Sequence, residues 1–184
     1  MVPDSQPIKT QAQVDVIPFG LLDPMIPPVV AANIHTLLGL DVRIRPPLPR
    51  PDTAFIPSRR QFDAAKIIAV LAEEADAAPF RLGIIRHDLC VPILTYVYGE
   101  SQIGGNAAVI SSYRLFDSRP NVIYERVAKI GIHEFGHILG LNHCWELGCL
   151  MRFSKQTEQL DLLPMRFCST CTYEISRCLQ SRRL

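Results

Sequence analysis

The run His133-Glu134-Phe135-Gly136-His137 carries the most definite chemistry in this sequence. On a helix, an offset of four residues places His133 and His137 on neighbouring turns of one face, close enough for both imidazoles to reach a single metal ion. Zinc suits such a pair, because neutral imidazole is a good borderline ligand and two helical donors leave room for others. Glu134 leaves the helix at a different angle, so it can face a water on the metal instead of ligating. A carboxylate that takes a proton from zinc-acidified water generates a nucleophile at neutral pH. The run continues to Gly140-Leu141-Asn142-His143. Gly140 can adopt a positive φ, end the helix and turn the chain so that His143 approaches the metal from off the helix. Three nitrogens and one water then make an open, roughly tetrahedral hydrolytic site. H-E-x-x-H arises by chance in about one chain of this length in a few hundred, and the added Gly and His reduce that roughly another few hundred-fold. The plain alternatives are hydrogen-bonded core or surface histidines, and a solvated Glu134 beside a structural metal.

Cysteines supply a second constellation. Cys144 follows His143 directly, and Cys149, Cys168 and Cys171 complete a C-x4-C, C-x-x-C arrangement. Four thiolates in two pairs suit a closed tetrahedral zinc site that ties the irregular segment after the helix to the C-terminal segment. Its expected role is to hold His143 and the cleft wall where a short tail offers few apolar residues. A redox pair at Cys168 and Cys171, or buried thiols, remain the alternatives. In an oxidised chain the sequence could not choose among the possible disulfide pairings. Cys90 and Cys178 read as core or surface residues. His35 and His87 lack a partner at ligand spacing and read as hydrogen-bonded or exposed.

These groups need a scaffold, and the hydrophobic pattern predicts one. Val14 to Pro18 alternates as a strand, and Pro28 to Leu38 has helical spacing with Gly39 as its stop. Asp41 to Arg45 is a second strand, Pro46 to Pro57 a loop, and Asp63 caps a helix running toward Glu74. Arg81 to Arg86 forms a third strand. Tyr96 to Gly99 and Ala107 to Ser111 form a hairpin-like pair around Gly104 and Gly105. The motif helix spans Asn121 to Leu139, with the Ser118 hydroxyl and Pro120 at its start. Strands and helices in this order imply a mixed α/β sheet with helices on one face or both.

With 184 residues, 48% of them apolar and 20% charged, the chain fits one folded domain with an ordinary core. Eleven of its 15 prolines precede residue 60 and stiffen the first third. The balance of 19 basic and 18 acidic residues gives no global pull toward nucleic acid or an anionic membrane, so neither partner is expected. The basic stretch Arg43, Arg45, Arg50, Arg59 and Arg60 is interleaved with Asp41 and Asp52 and reads as a solvated face. Met1 to Gly20 has no secretory pattern and no apolar run spans a bilayer, so a cytoplasmic location is expected. A reducing compartment in turn favours metal thiolates over disulfides.

The combined pattern resembles the archaemetzincins, a family of metzincin-type zinc metallopeptidases. The match runs His133-Glu134-x-x-His137-x-x-Gly140-x-x-His143-Cys144, then x4-Cys149-x-Met151, and finally Cys168-x-x-Cys171. Between Met151 and Cys168 the chain is one residue shorter than the family's usual interval, a departure placed in a loop. The resemblance implies a compact α/β (α+β) zincin/metzincin-like fold: a mixed twisted sheet with an edge strand over the cleft and a catalytic helix carrying H-E-x-x-H. It implies one domain over residues 1–184 with a zinc-bound, Cys-rich segment 144–184. It also implies two zinc ions per chain. One is catalytic, on His133, His137 and His143, with Glu134 as general base and acid; the other is structural, on Cys144, Cys149, Cys168 and Cys171. Met151 would lie in the turn beneath the catalytic metal. The region Tyr96 to Ser101 would be the edge strand to which a peptide or protein substrate adds by backbone hydrogen bonds. A zinc-stabilised peptide binder without turnover, and a zinc hydrolase of another amide or ester, are the competing readings. Cleavage specificity and oligomeric state have no signature in the sequence.

Overall fold

The computed structural model describes residues 13–74 and 76–182. The stretch to residue 12, which carries much of the no-leader expectation, lies outside the described residues. The first strand, β1 (Val14–Phe19), is buried throughout: Val14 and Val16 enter one core, Ile17 and Phe19 the other. Burial on both faces is what a central parallel strand requires. Helix α1 (Ile26–Leu38) places Pro27 and Pro28 in its first turn, where a missing N–H costs nothing, and stops at Gly39 with φ 68°. Its inner stripe is Ile26, Val30, Ile34 and Leu38. β2 (Val42–Ile44) then pairs parallel to β1.

Two short strands follow, β3 (Phe55–Ile56) and β4 (Gln61–Asp63). Helix α2 (Ala64–Ala72) is capped as expected, the Asp63 carboxylate accepting from the amides of Ala65 and Lys66 at 3.0 and 3.4 Å. Next come β5 (Phe80–Ile85), β6 (Leu89–Cys90), β7 (Gly99–Ser101) and β8 (Ala107–Ser111), then helices α3 (Pro120–Ile138), α4 (Thr157–Leu162) and α5 (Ser169–Ser181). The main sheet has five strands in the order β2-β1-β5-β8-β7, parallel except for β7 at one edge. Helices cover both faces: α1 and α3 share one core with the sheet, while α2 packs Ile67, Ile68 and Leu71 on the other. This is the mixed α/β sheet expected from the sequence. No helix among the described residues is long and apolar enough to cross a membrane.

Several expectations need correction. The stretch Pro46 to Pro57, expected as a loop, holds a 3-10 turn at Asp52–Ala54 and β3, and β3-β4-β6 form a second small sheet. Strands of two or three residues are too short to show a period. The edge strand begins at Gly99, not Tyr96. The Val97 amide donates to the Leu89 carbonyl (3.0 Å), and Tyr96 is held by the Arg114 guanidinium 4.0 Å above its ring, so the preceding chain is drawn toward the small sheet. At the start of α3 no Ser118 hydroxyl caps; Arg119 occupies the cap position, and its amide donates instead to the Asp117 carboxylate at 2.9 Å. The interval between Met151 and Cys168 is not all loop, since it carries α4. Within the basic stretch, Arg43 and Arg45 do more than face water. They bond to the fully buried Asp15 at 2.7, 2.9 and 3.2 Å and join β2 to β1.

Candidate metal centres and cleft

The rotation of α3 decides what the cleft contains. Ile132, Phe135 and Ile138 are buried in the core, and Phe135 meets Phe80 of β5 edge-on with ring centres 5.4 Å apart. Fixing that face inward leaves His133, Glu134 and His137 lining the cleft. The helix then stops: Gly140 takes φ 94° and the Leu141 amide returns to the Gly136 carbonyl at 3.0 Å. The turn carries His143 back, so that the three rings lie with centres 4.8, 4.9 and 5.3 Å apart.

The hydrogen bonds of the rings assign their protons. His133 Nδ1 lies 2.8 Å from the Leu150 carbonyl and His137 Nδ1 2.6 Å from the Leu141 carbonyl. A carbonyl only accepts, so both Nδ1 atoms carry the hydrogen and both Nε2 atoms keep their lone pairs. Those two Nε2 atoms face each other at 3.2 Å. Two lone pairs that close repel unless a cation lies between them. A tetrahedral zinc with bonds of about 2.0–2.1 Å would separate its nitrogens by about 3.3–3.4 Å. Burial holds His133 down to about 4 and lowers His137 and His143 as well, so all three are neutral at pH 7. The donor set therefore fits the metal.

Glu134 is buried beside the cluster and is not part of it. Burial pushes its pKa up to about 8, opposed by the Ser101 hydroxyl, which donates to Oε2 at 2.8 Å. Met151 lies fully buried beneath α3, where its sulfur occupies the space a side chain at Gly136 would need. Its carbonyl accepts from the Cys144 amide at 2.9 Å, linking the two halves of the turn. The cleft, about 460 Å³, runs between β7 and residues 152–155 and ends in apolar residues, Ile130, Leu160 and Leu163.

Cys144, Cys149, Cys168 and Cys171 converge as well, all four sulfurs within 4.8 Å of one another. The separations of 3.8 Å for Cys144 and Cys168, and 3.7 Å for Cys149 and Cys171, are far too long for a disulfide. They match the roughly 3.8 Å edge of a tetrahedron with zinc–sulfur bonds of about 2.3 Å. Both clusters could each coordinate a metal such as zinc. Cys90 is buried in β6 and Cys178 is partly buried on α5, both outside the clusters. His35 is exposed and bonds to the Leu40 carbonyl at 3.0 Å, while His87 stacks on Phe62 with ring centres 5.2 Å apart. Sequence reasoning missed the carbonyls of Leu141 and Leu150, which leave no mark in residue identity. It also missed Ser101, whose only signal was its place on the edge strand.

Comparison with known proteins points the same way. The family model described as Peptidase family M54 matches residues 65–177. The archaemetzincin of Archaeoglobus fulgidus is 32% identical over 150 residues, covering 82% of this chain and 86% of that protein. Among solved structures, the archaemetzincin of Methanopyrus kandleri superposes with a TM-score of 0.84 at 29% identity, covering 95% of this chain and 98% of that one. The archaemetzincin of Archaeoglobus fulgidus, crystallised with malonate, superposes at 0.78 with 29% identity, covering 88% and 99%.

Proposed function

This chain belongs to peptidase family M54, the archaemetzincins, and is a zinc-dependent metallopeptidase; from that premise we propose which of its residues perform the hydrolysis. His133, His137 and His143 hold the catalytic zinc, Glu134 is the general base and acid, and Cys144, Cys149, Cys168 and Cys171 hold a second, structural zinc. Residues 1–184 act as one domain whose Cys-rich segment 144–184 closes the site. The observation that carries this reading is the pair of Nε2 lone pairs facing each other at 3.2 Å beside a buried carboxylate.

Zinc bound there supplies Lewis acidity, polarising a carbonyl oxygen and acidifying a water molecule. The Leu141 and Leu150 carbonyls lock the tautomers of His137 and His133 and raise their basicity as donors. A peptide substrate adds to the open edge of β7 by backbone hydrogen bonds, which lays its scissile bond across the cleft. Glu134 accepts a proton from the attacking water and returns it to the nitrogen of the leaving amine. Next to a dication the ionised form of Glu134 is favoured, against the burial that raises its pKa.

Peptide-library cleavage by zinc-loaded protein tests the reaction. The Glu134→Ala variant should keep its zinc and lose about a hundredfold or more in kcat; equal rates would remove Glu134 from the mechanism. Metal analysis of protein purified without added metal tests the stoichiometry. The parent should hold two zinc ions per chain, and His137→Ala and Cys168→Ala should each lose a different one. A single ion removed only by the cysteine change would leave the histidine cleft without a metal and defeat the proposal.

A further inference from the structure

We propose that Ser101 is a positioning residue for Glu134, so that the edge strand fixes both the bound peptide and the carboxylate that moves its proton. The inference rests on the hydrolytic role of Glu134 proposed above. Two observations carry it. The Ser101 hydroxyl donates to Glu134 Oε2 at 2.8 Å. Gly99, two residues earlier and hence on the same face of the strand, has no side chain where Glu134 lies. A Cβ there would sit 2.6 Å from Cγ and 2.9 Å from Cδ and Oε1 of Glu134. The carboxylate stem thus lies directly against Gly99 on one side and is tethered at one oxygen by Ser101. A glutamate stem otherwise has several staggered conformers open to it. Tethering Oε2 leaves Oε1 to take and return the proton.

The backbone of the same two residues faces the substrate. In the β7–β8 register Gly99 lies opposite Ile110, Glu100 opposite Val109 and Ser101 opposite Ala108. Just outside these pairs, the Ser111 amide donates to the Tyr98 carbonyl at 2.8 Å and the Gln102 amide to the Ala107 carbonyl at 3.0 Å. Bonded and non-bonded pairs alternate along an antiparallel ladder. Tyr98, Glu100 and Gln102 therefore turn their peptide groups toward β8, and Gly99 and Ser101 turn theirs to the open edge, where the Ser101 amide meets the Glu100 carboxylate that an incoming peptide would displace. An incoming peptide that pairs with Gly99 and Ser101 is placed against the two residues that hold Glu134. Its register and the aim of the base are set by one short segment.

The test uses full-length zinc-loaded protein with Ser101→Ala and Ser101→Thr. Ser101→Ala removes the tether and keeps the strand backbone, so kcat should fall about tenfold or more while KM and zinc content stay within about twofold. Ser101→Thr keeps a hydroxyl and should recover most of the lost kcat. Parental kcat in Ser101→Ala, or a loss lying in KM alone, overturns the proposal. A second readout needs no turnover: in crystals of the zinc-free protein, Glu134 should occupy one conformer in the parent and in Ser101→Thr, and more than one in Ser101→Ala. A single unchanged conformer in Ser101→Ala also overturns it. If the parent itself hydrolyses no peptide, the role proposed for Glu134 fails, and the conformer count alone decides whether Ser101 positions it.

Discussion

Gly136 and Met151 show how much of this site depends on single atoms. The sulfur of Met151 occupies the space where a side chain at Gly136 would project, and Gly136 immediately precedes His137. In Gly136→Ala either the methionine or the helix must shift, and overpacking of a buried contact typically costs about 1–3 kcal/mol. Urea denaturation should show a loss of that size, with weaker zinc retention because His137 rides on the displaced turn; a variant with parental stability and parental zinc content would show that the contact is soft. This partnership was only half legible in the sequence. Side chains at fixed spacing on a helix announce themselves, which is why His133, Glu134, His137 and His143 could be singled out from spacing alone. Met151 needed the family resemblance, because a lone methionine reads as core filling. The role of Gly136, and the carbonyls that orient the histidines, depend on chain segments meeting across the fold.

Elements differ in the same way. Long periodic segments such as α1 and α3 were expected close to their observed bounds, and Gly39 stops α1 as expected. By contrast β3, β4 and β6 are too short to carry a period, and α4 and α5 bury too few residues to print one. Helix α5 buries only Cys171 and Ile175, one turn apart on its inner side. Cys178 and Leu179 add partly buried contacts and Arg182 donates to the Gly104 and Gly105 carbonyls, yet burial that small holds a helix weakly, so the metal proposed on the four cysteines should supply most of the docking of α5. Chelation, or Cys168→Ala, should abolish hydrogen-exchange protection across residues 169–181 while the β1-β5-β8 strands stay protected. Equal protection in both regions would separate α5 from the metal. Helix α4 is attached differently. The ammonium of the fully buried Lys129 pairs with Glu125 at 2.7 Å and reaches the Leu160 and Asp161 carbonyls at 3.2 and 3.3 Å. Lys129→Ala strips those carbonyls of their donor and leaves a void, a cost of about 2–3 kcal/mol. Because Leu160 and Leu163 close the apolar end of the cleft, the same change should raise KM for peptide more than it lowers kcat.

Across the molecule, three carboxyl groups fix the packing of the chain, two by joining distant segments and one at the start of α3, and all three are held below the ordinary carboxylate value. Burial alone would raise Asp15, but hydrogen bonds from Arg43, the Ala78 amide and Arg45 outweigh it and hold it low. Asp117 is held at about 2 by Arg119, and Asp161 is lowered by its pair with Arg126. These contacts join β1 to β2 and to the segment before β5, secure the start of α3, and clamp α3 to α4. A folded pKa below the unfolded one means that the unfolded chain binds the proton more readily. The stabilisation is therefore complete above the unfolded value, about 3.9 for aspartate, and is lost as pH falls through the folded value. Protons also release metal from histidine and cysteine, so an acid transition of the parent alone would mix the two effects. Comparing the parent with Asp15→Asn separates them, because metal release is common to both. At pH 7 the variant should be less stable by about 2–3 kcal/mol, the worth of charge-assisted hydrogen bonds to a buried group. As pH falls from about 4 toward the lowered pKa of folded Asp15, the unfolded chain takes up the proton first, the parent loses this stabilisation and the two denaturation midpoints should converge. A gap as wide at pH 3 as at pH 7 would mean that the carboxylate charge is not what holds β2 and the segment before β5 against β1.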